Sequence, residues 1–150
     1  MRTIFSKLIF LPCLFALVSC QHEETSIDSS EEIKHDYDEV IDREILWKEM
    51  FMVEKAQYFI YFYSPTCSHC KEIKNEIIDY ALSIDNFYFI KYSDDVIIAP
   101  EIKSTIGATS PDEVAILGTP SLIEIIDGVL TNNMAGSKTI LDFLEIPFPD

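Results

Sequence analysis

The sequence predicts an α/β domain whose central mixed sheet has about four strands, flanked by helices. Three observations carry this prediction. Two runs rich in aromatic and β-branched residues, Gln57 to Tyr63 and Phe87 to Tyr92, bracket a segment with helical spacing. Strand, helix and strand in that order make a right-handed unit with parallel strands. Asp127-Gly128 separates the apolar runs Ser121 to Ile126 and Val129 to Met134, which signals an antiparallel hairpin. Amphipathic segments precede the first strand and follow the last.

The chain of 150 residues is 48% hydrophobic and 25% charged, ordinary material for one globular domain. Its start is different in character. Arg2 and Lys7 precede an apolar run from Leu8 to Val18, too short for a membrane span and suited to an export signal. The run ends in Leu17-Val18-Ser19-Cys20, which resembles the lipobox of bacterial lipoproteins. That resemblance implies a signal peptide over residues 1–19, lipid attached to Cys20, and a domain tethered outside the cytoplasm of a bacterium. Several acyl chains together give stable anchoring by burying methylene groups in the bilayer. The alternative is a conventional signal cut at small residues nearby, or a short anchor helix.

Residues 20–38 follow as an acidic tether of Glu, Asp, Ser and Thr with little to bury, expected to be flexible and self-repelling. His22 and His35 fall in it and read as solvated polar residues. The folded domain is expected over 39–150. Loss of Arg2 and Lys7 takes the formal charge from −15 to −17, which disfavours nucleic acid and anionic headgroups and fits a soluble monomer.

Within the domain, Val40, Ile41, Ile45, Leu46, Met50 and Val53 recur at three- and four-residue steps and predict an amphipathic helix, with Trp47 in the core. Gln57 to Tyr63 lacks alternation, as expected of a central strand covered on both faces. Ser64-Pro65 ends it, and from Cys67 the positions Cys70, Ile73, Ile77, Ala81 and Ile84 follow helical spacing. This puts Cys70 on the inward face and leaves Cys67 at the exposed tip. Pro100 and Pro111 read as first-turn residues of two short helices, and Ser110-Pro111-Asp112-Glu113 fits a capping box. After the hairpin and Gly136, Ile140, Leu141 and Leu144 make one face of a last helix, stopped at Pro147.

Cys67-Ser68-His69-Cys70 places two thiols one helical turn apart, a spacing that suits a redox disulfide or half of a zinc site. Of the four cysteines, the lipobox resemblance implies that Cys13 goes with the signal and that Cys20 carries lipid, which would leave no others for a structural disulfide framework.

The order of elements over residues 40 to 146 resembles the thioredoxin-like superfamily. Two motifs carry the resemblance: the CxxC at a helix start just after a buried strand, and Ile116-Leu117-Gly118-Thr119-Pro120-Ser121, similar to the family's loop with a cis-proline facing the CxxC. It implies that Cys67 is the nucleophile and Cys70 the resolving thiol. The physical basis is that a helix N-terminus stabilises a thiolate and that a second thiol one turn along can release a mixed disulfide. It further implies that Thr119 and Pro120 present backbone to an extended substrate by strand addition. His69 is placed as in the DsbA-type oxidases, where a nearby imidazole N–H favours the thiolate and makes the disulfide a stronger oxidant. The chain departs from the family at Tyr61, where a buried carboxylate is often kept, and at Thr66, often aromatic. The first change leaves Cys70 without an obvious proton acceptor, although Glu54 and Lys55 could lie near it.

The expected activity is thiol–disulfide exchange with cysteine-containing exported proteins, leaning to oxidase or isomerase, with an unidentified redox partner to reset the pair. The two thiols require no cofactor and no metal ion. Two other classes stay open: a non-catalytic accessory or binding module for secretion or bacteriocin export, and a reductase or metal-handling thiol protein. For the metal reading only His69 and the tether histidines could add ligands to the thiols.

Overall fold

A computed structural model of the chain describes residues 34–99, 105–147 and 149. The expected signal, Cys20, His22 and Pro100 lie outside these residues. Four strands, β1 (Gln57–Tyr63), β2 (Phe87–Lys91), β3 (Ser121–Ile126) and β4 (Val129–Ala135), form one mixed sheet in the order β2-β1-β3-β4. β1 and β2 are parallel, and β1 with β3 and β3 with β4 are antiparallel. Three helices, α1 (Ser68–Glu72), α2 (Lys74–Ser83) and α3 (Ser137–Phe143), complete the frame. Among the described residues no helix is long and apolar enough to cross a membrane.

β1 is central and buried on both sides, and its alternate residues feed two cores. Phe59, Tyr61 and Tyr63 pack with Cys70, Ile73, Ile77, Ile140 and Leu141 on the face that carries the helices. Tyr58, Ile60 and Phe62 pack with Trp47, Met50, Ile116 and Ile123 on the other. A continuous apolar run is what a strand covered on both faces requires. The β3–β4 turn has Asp127 at φ 50° and Gly128 at φ 76°, the left-handed pair of a two-residue hairpin.

The single helix expected over Val40 to Val53 is not formed. Two 3₁₀ helices stand there instead, Tyr37–Arg43 and Trp47–Glu49. Between them Glu44 is extended and bridges Phe89, and the Ile45 N–H donates to the Phe89 carbonyl at 2.8 Å. The segment crosses the edge of β2, so Val40 enters one core while Trp47 and Met50 enter the other. One straight helix cannot serve both faces of a sheet, and Ile41, Leu46 and Met52 are left exposed. The wrap also covers the open edge of β2, where unpaired strand groups invite aggregation.

The helix after Cys67 is broken at Ile73, which has φ −115° and ψ 16°. The Ser137 hydroxyl donates to the His69 carbonyl at 3.1 Å, the acceptor an Ile73 N–H takes in an unbroken helix. Pro111 does open a short 3₁₀ helix, Pro111–Glu113, but the Ser110 side chain makes no cap bond. Glu113 reaches back instead, accepting from the Thr109 N–H at 2.8 Å. α3 stops before Pro147, at a left-handed Glu145 whose N–H donates to the Asp142 carbonyl while the Ile146 N–H donates to that of Leu141.

Candidate active site

Cys67 occupies the N-cap of α1, with φ −72° and ψ 122°. Its sulfur does what a capping oxygen does elsewhere, accepting from the Cys70 N–H at 3.2 Å. The chain reaches this position from the end of β1 through Ser64 and Pro65, with the Cys67 N–H donating to the Ser64 carbonyl at 3.1 Å. On its other side the protonated Cys67 thiol donates to the Thr119 carbonyl at 3.2 Å. The Thr119–Pro120 peptide is cis. The expected nucleophile, resolving thiol and proline loop thus meet at one end of the sheet.

The two thiols are both free and differ in access: Cys67 is half-buried, whereas Cys70 is 0% exposed. Partial burial pushes the Cys67 thiol up, but the Cys70 thiol, the Thr119 side chain and the backbone amides of Cys70 and His69 outweigh it, and the net direction is down. Once Cys67 ionises, its sulfur only accepts, and these amides hold the anion. Burial pushes the Cys70 thiol up to about 11, with a further rise from the neighbouring Cys67. The two cysteines are thus driven in opposite directions.

The ring of His69 points elsewhere. Its Nδ1 lies 3.4 Å from Glu72 Oε2, and the side chain is 72% exposed. The interaction of His69 with the Cys67 sulfur runs through its backbone amide. Tyr61 stands in the core beside Cys70, with its hydroxyl buried. Burial holds the Tyr61 phenol well above its ordinary range, with Tyr37 and Cys70 adding to the rise. Lys55 pairs with Asp85 at 2.5 Å where β1 begins, the opposite end of that strand from Cys67, so it does not approach Cys70.

One residue at the site escaped the sequence reading. Ser137 is 6% exposed and, besides the His69 carbonyl, lies 3.2 Å from Glu72 Oε2. Its one sequence signal is its place directly after Gly136 at the start of the last helix. Among the described residues no group of three or more His, Cys, Asp and Glu side chains is arranged to hold a metal ion.

No family model matches the chain, and no curated protein does. Solved structures of similar fold include spinach chloroplast thioredoxin f in its long form, 15% identical, with 68% of this chain and 79% of that one covered at a TM-score of 0.45. Thioredoxin from Aeropyrum pernix is 17% identical, with 67% of this chain and 82% of that one covered at 0.44. Mitochondrial thioredoxin 3 of Saccharomyces cerevisiae, in its oxidised form, is 19% identical, with 67% and 89% covered at 0.42. Likeness of this degree concerns the path of the chain and assigns no chemistry. By its own strand order, with the dithiol turn after β1 and a cis proline before β3, the fold is thioredoxin-like α/β.

Proposed function

We propose that the chain is a thiol–disulfide oxidoreductase that exchanges disulfides with exported proteins through Cys67 and Cys70, leaning to oxidation or isomerisation. The observation that carries the reading is the opposite setting of the two thiols: a half-buried Cys67 at the N-cap of α1 with its sulfur 3.2 Å from the Cys70 N–H and 3.2 Å from the Thr119 carbonyl, and a fully buried Cys70 one turn behind it.

In the oxidising direction a substrate thiolate attacks Cys67 Sγ of the Cys67–Cys70 disulfide. The new bond joins substrate to Cys67, and Cys70 departs and takes up a proton. A second substrate thiolate then attacks the substrate sulfur of the mixed disulfide, and Cys67 leaves as thiolate. The substrate has lost two electrons and the dithiol has gained them. A low pKa makes Cys67 a good leaving group in that last step. In the reducing direction Cys70 must ionise to attack the mixed disulfide, and in the oxidising direction it leaves as the same thiolate, so its burial bears on both directions alike. The lean to oxidation or isomerisation rests on the lowered Cys67, whose stabilised thiolate favours the dithiol form, with the amides of α1 in the role the sequence suggested for the His69 ring. Extended substrate is expected to pair with the backbone at Thr119 and Pro120.

The apolar run before Leu17-Val18-Ser19-Cys20 supports placing this chemistry outside the cytoplasm on a lipid anchor, with the acidic residues that follow Cys20 as the tether, shorter than 20–38 because His35 and Tyr37 belong to the folded domain, and a separate redox partner resetting the pair. Cys67→Ser is expected to abolish exchange and Cys70→Ser to accumulate disulfide-linked substrates, read on non-reducing gels. A Cys70→Ser chain that captures none sinks the exchange reading, and biological function retained in the double variant supports an accessory module instead.

A further inference from the structure

The peptide unit joining His69 to Cys70 is held at both ends. Its N–H, on Cys70, donates to Cys67 Sγ at 3.2 Å, and its carbonyl, on His69, accepts from the Ser137 hydroxyl at 3.1 Å. A peptide is conjugated, so a donor on its oxygen draws density from nitrogen and makes the N–H a better donor. Hydrogen bonds in such chains strengthen one another by about 10–30% each. Ser137 is buried, so water does not compete for its hydroxyl.

We infer that Ser137 is a positioning residue for the Cys67 thiolate, acting through the His69–Cys70 peptide, which its hydroxyl orients and polarises. The same bond occupies the acceptor at which α1 would run on into α2, so the turn bearing both thiols is tied to α3 as well as to α2. The charged groups around this hydroxyl divide simply. Glu72 Oε2, 3.2 Å away, is the competing acceptor and also faces His69 Nδ1. Lys138, next in α3, is engaged with Asp142 at 3.0 Å. When the Ser137 proton turns to Glu72, the peptide loses its polarising partner and the thiolate its stronger donor.

This inference rests on the reading of Cys67 as nucleophile, and the experiment separates the two. The full chain is reduced and alkylated with iodoacetamide across a pH series, and the rate at Cys67 is followed by fragment masses. Ser137→Ala is expected to move the Cys67 midpoint to higher pH and to slow alkylation at pH 7 about two- to fivefold, with the high-pH rate unchanged. Ser137→Thr, which keeps the hydroxyl, restores the midpoint. Ser137→Gly repeats the deletion without added bulk if the alanine chain does not fold. An unmoved midpoint in a hydroxyl-deleted chain that melts cooperatively overturns the inference, whatever its melting temperature, because a purely structural role changes stability and leaves the midpoint alone. A shifted midpoint in a chain whose wild type lacks exchange activity supports the inference and overturns only the proposed function. A wild-type midpoint no lower than that of a free cysteine overturns both.

Discussion

Cys67 and Cys70 carry the same group three residues apart and are driven in opposite directions, because one lies at the mouth of a helix and the other behind it. His35 shows the same dependence on place. Expected among solvated tether residues, it is 8% exposed and bound at 2.8 Å to Glu39 through Nδ1 and at 2.8 Å to Asp79 through Nε2. Its N–H donates to Asn75 at 3.0 Å, which ties the chain just before the first 3₁₀ helix to α2. The hydrogen bond to Glu39 raises its pKa above the ordinary 6.5; burial opposes this and Asp79 reinforces it. A raised folded pKa means that the folded state binds the proton more tightly than the unfolded one. The stabilisation is present in full below about 6.5 and is lost as pH rises through the raised value. His35→Gln is therefore expected to lower Tm more at pH 5.5 than at pH 9, measured by thermal melts of both chains across that range. An equal loss at both ends would show that the imidazolium contributes nothing.

At the scale of elements, α2 ends without a glycine, and its last carbonyls find Arg43 instead. The guanidinium Nη1 donates to the Ala81 carbonyl and, at 2.6 Å, to that of Ile84. A fixed cation at a helix C-terminus satisfies orphan acceptors and opposes the helix dipole. Arg43→Met keeps much of the stem and removes both bonds, and is expected to cost about 1–2 kcal/mol in urea unfolding with an unchanged m-value. Arg43 lies in a stretch read from the sequence as regular helix, and the error is instructive. β1, β3 and the Asp127-Gly128 turn were legible because composition and turn chemistry within a few residues decide them. Cys67, Cys70 and Pro120 were legible for the same reason, each belonging to a short motif. The wrap around β2, the Ser137 bond to a carbonyl 68 positions earlier and the His35 bond to Asp79 44 positions later depend on what the folded sheet brings together. Val40 and Met50 of the periodic set are buried, as is Trp47, but Ile41 and Leu46 of the same set are exposed. Periodicity could not report that the buried ones lie on opposite faces.

For the molecule as a whole, the setting of the thiols ties stability to redox state. Folding and oxidation form a cycle, so any preference of the fold for dithiol over disulfide equals the difference in reduction potential between the folded pair and the same pair in the unfolded chain, with about 30 mV corresponding to 1.4 kcal/mol. The amides of His69 and Cys70 stabilise a Cys67 thiolate, and a disulfide sulfur carries no charge to receive that stabilisation. The buried Cys70 thiol fits the reduced state equally well as a neutral group. Against this stands the entropy that a disulfide removes from the unfolded chain, small for so short a loop. The reduced chain is accordingly expected to melt above the oxidised chain at pH 7. The sign of the pH dependence follows from both shifts: the lowered Cys67 gives an advantage that grows as pH rises through its folded value, and the Cys70 thiol, pushed up to about 11, takes it back above the ordinary cysteine pKa, so the advantage is largest between the two and fades as pH falls through the lowered Cys67 value. Paired melts with and without reductant, repeated down to pH 4, test both the order and its trend. A higher Tm for the oxidised chain throughout would mean that the fold favours the disulfide, and would turn the proposed activity from oxidation towards reduction.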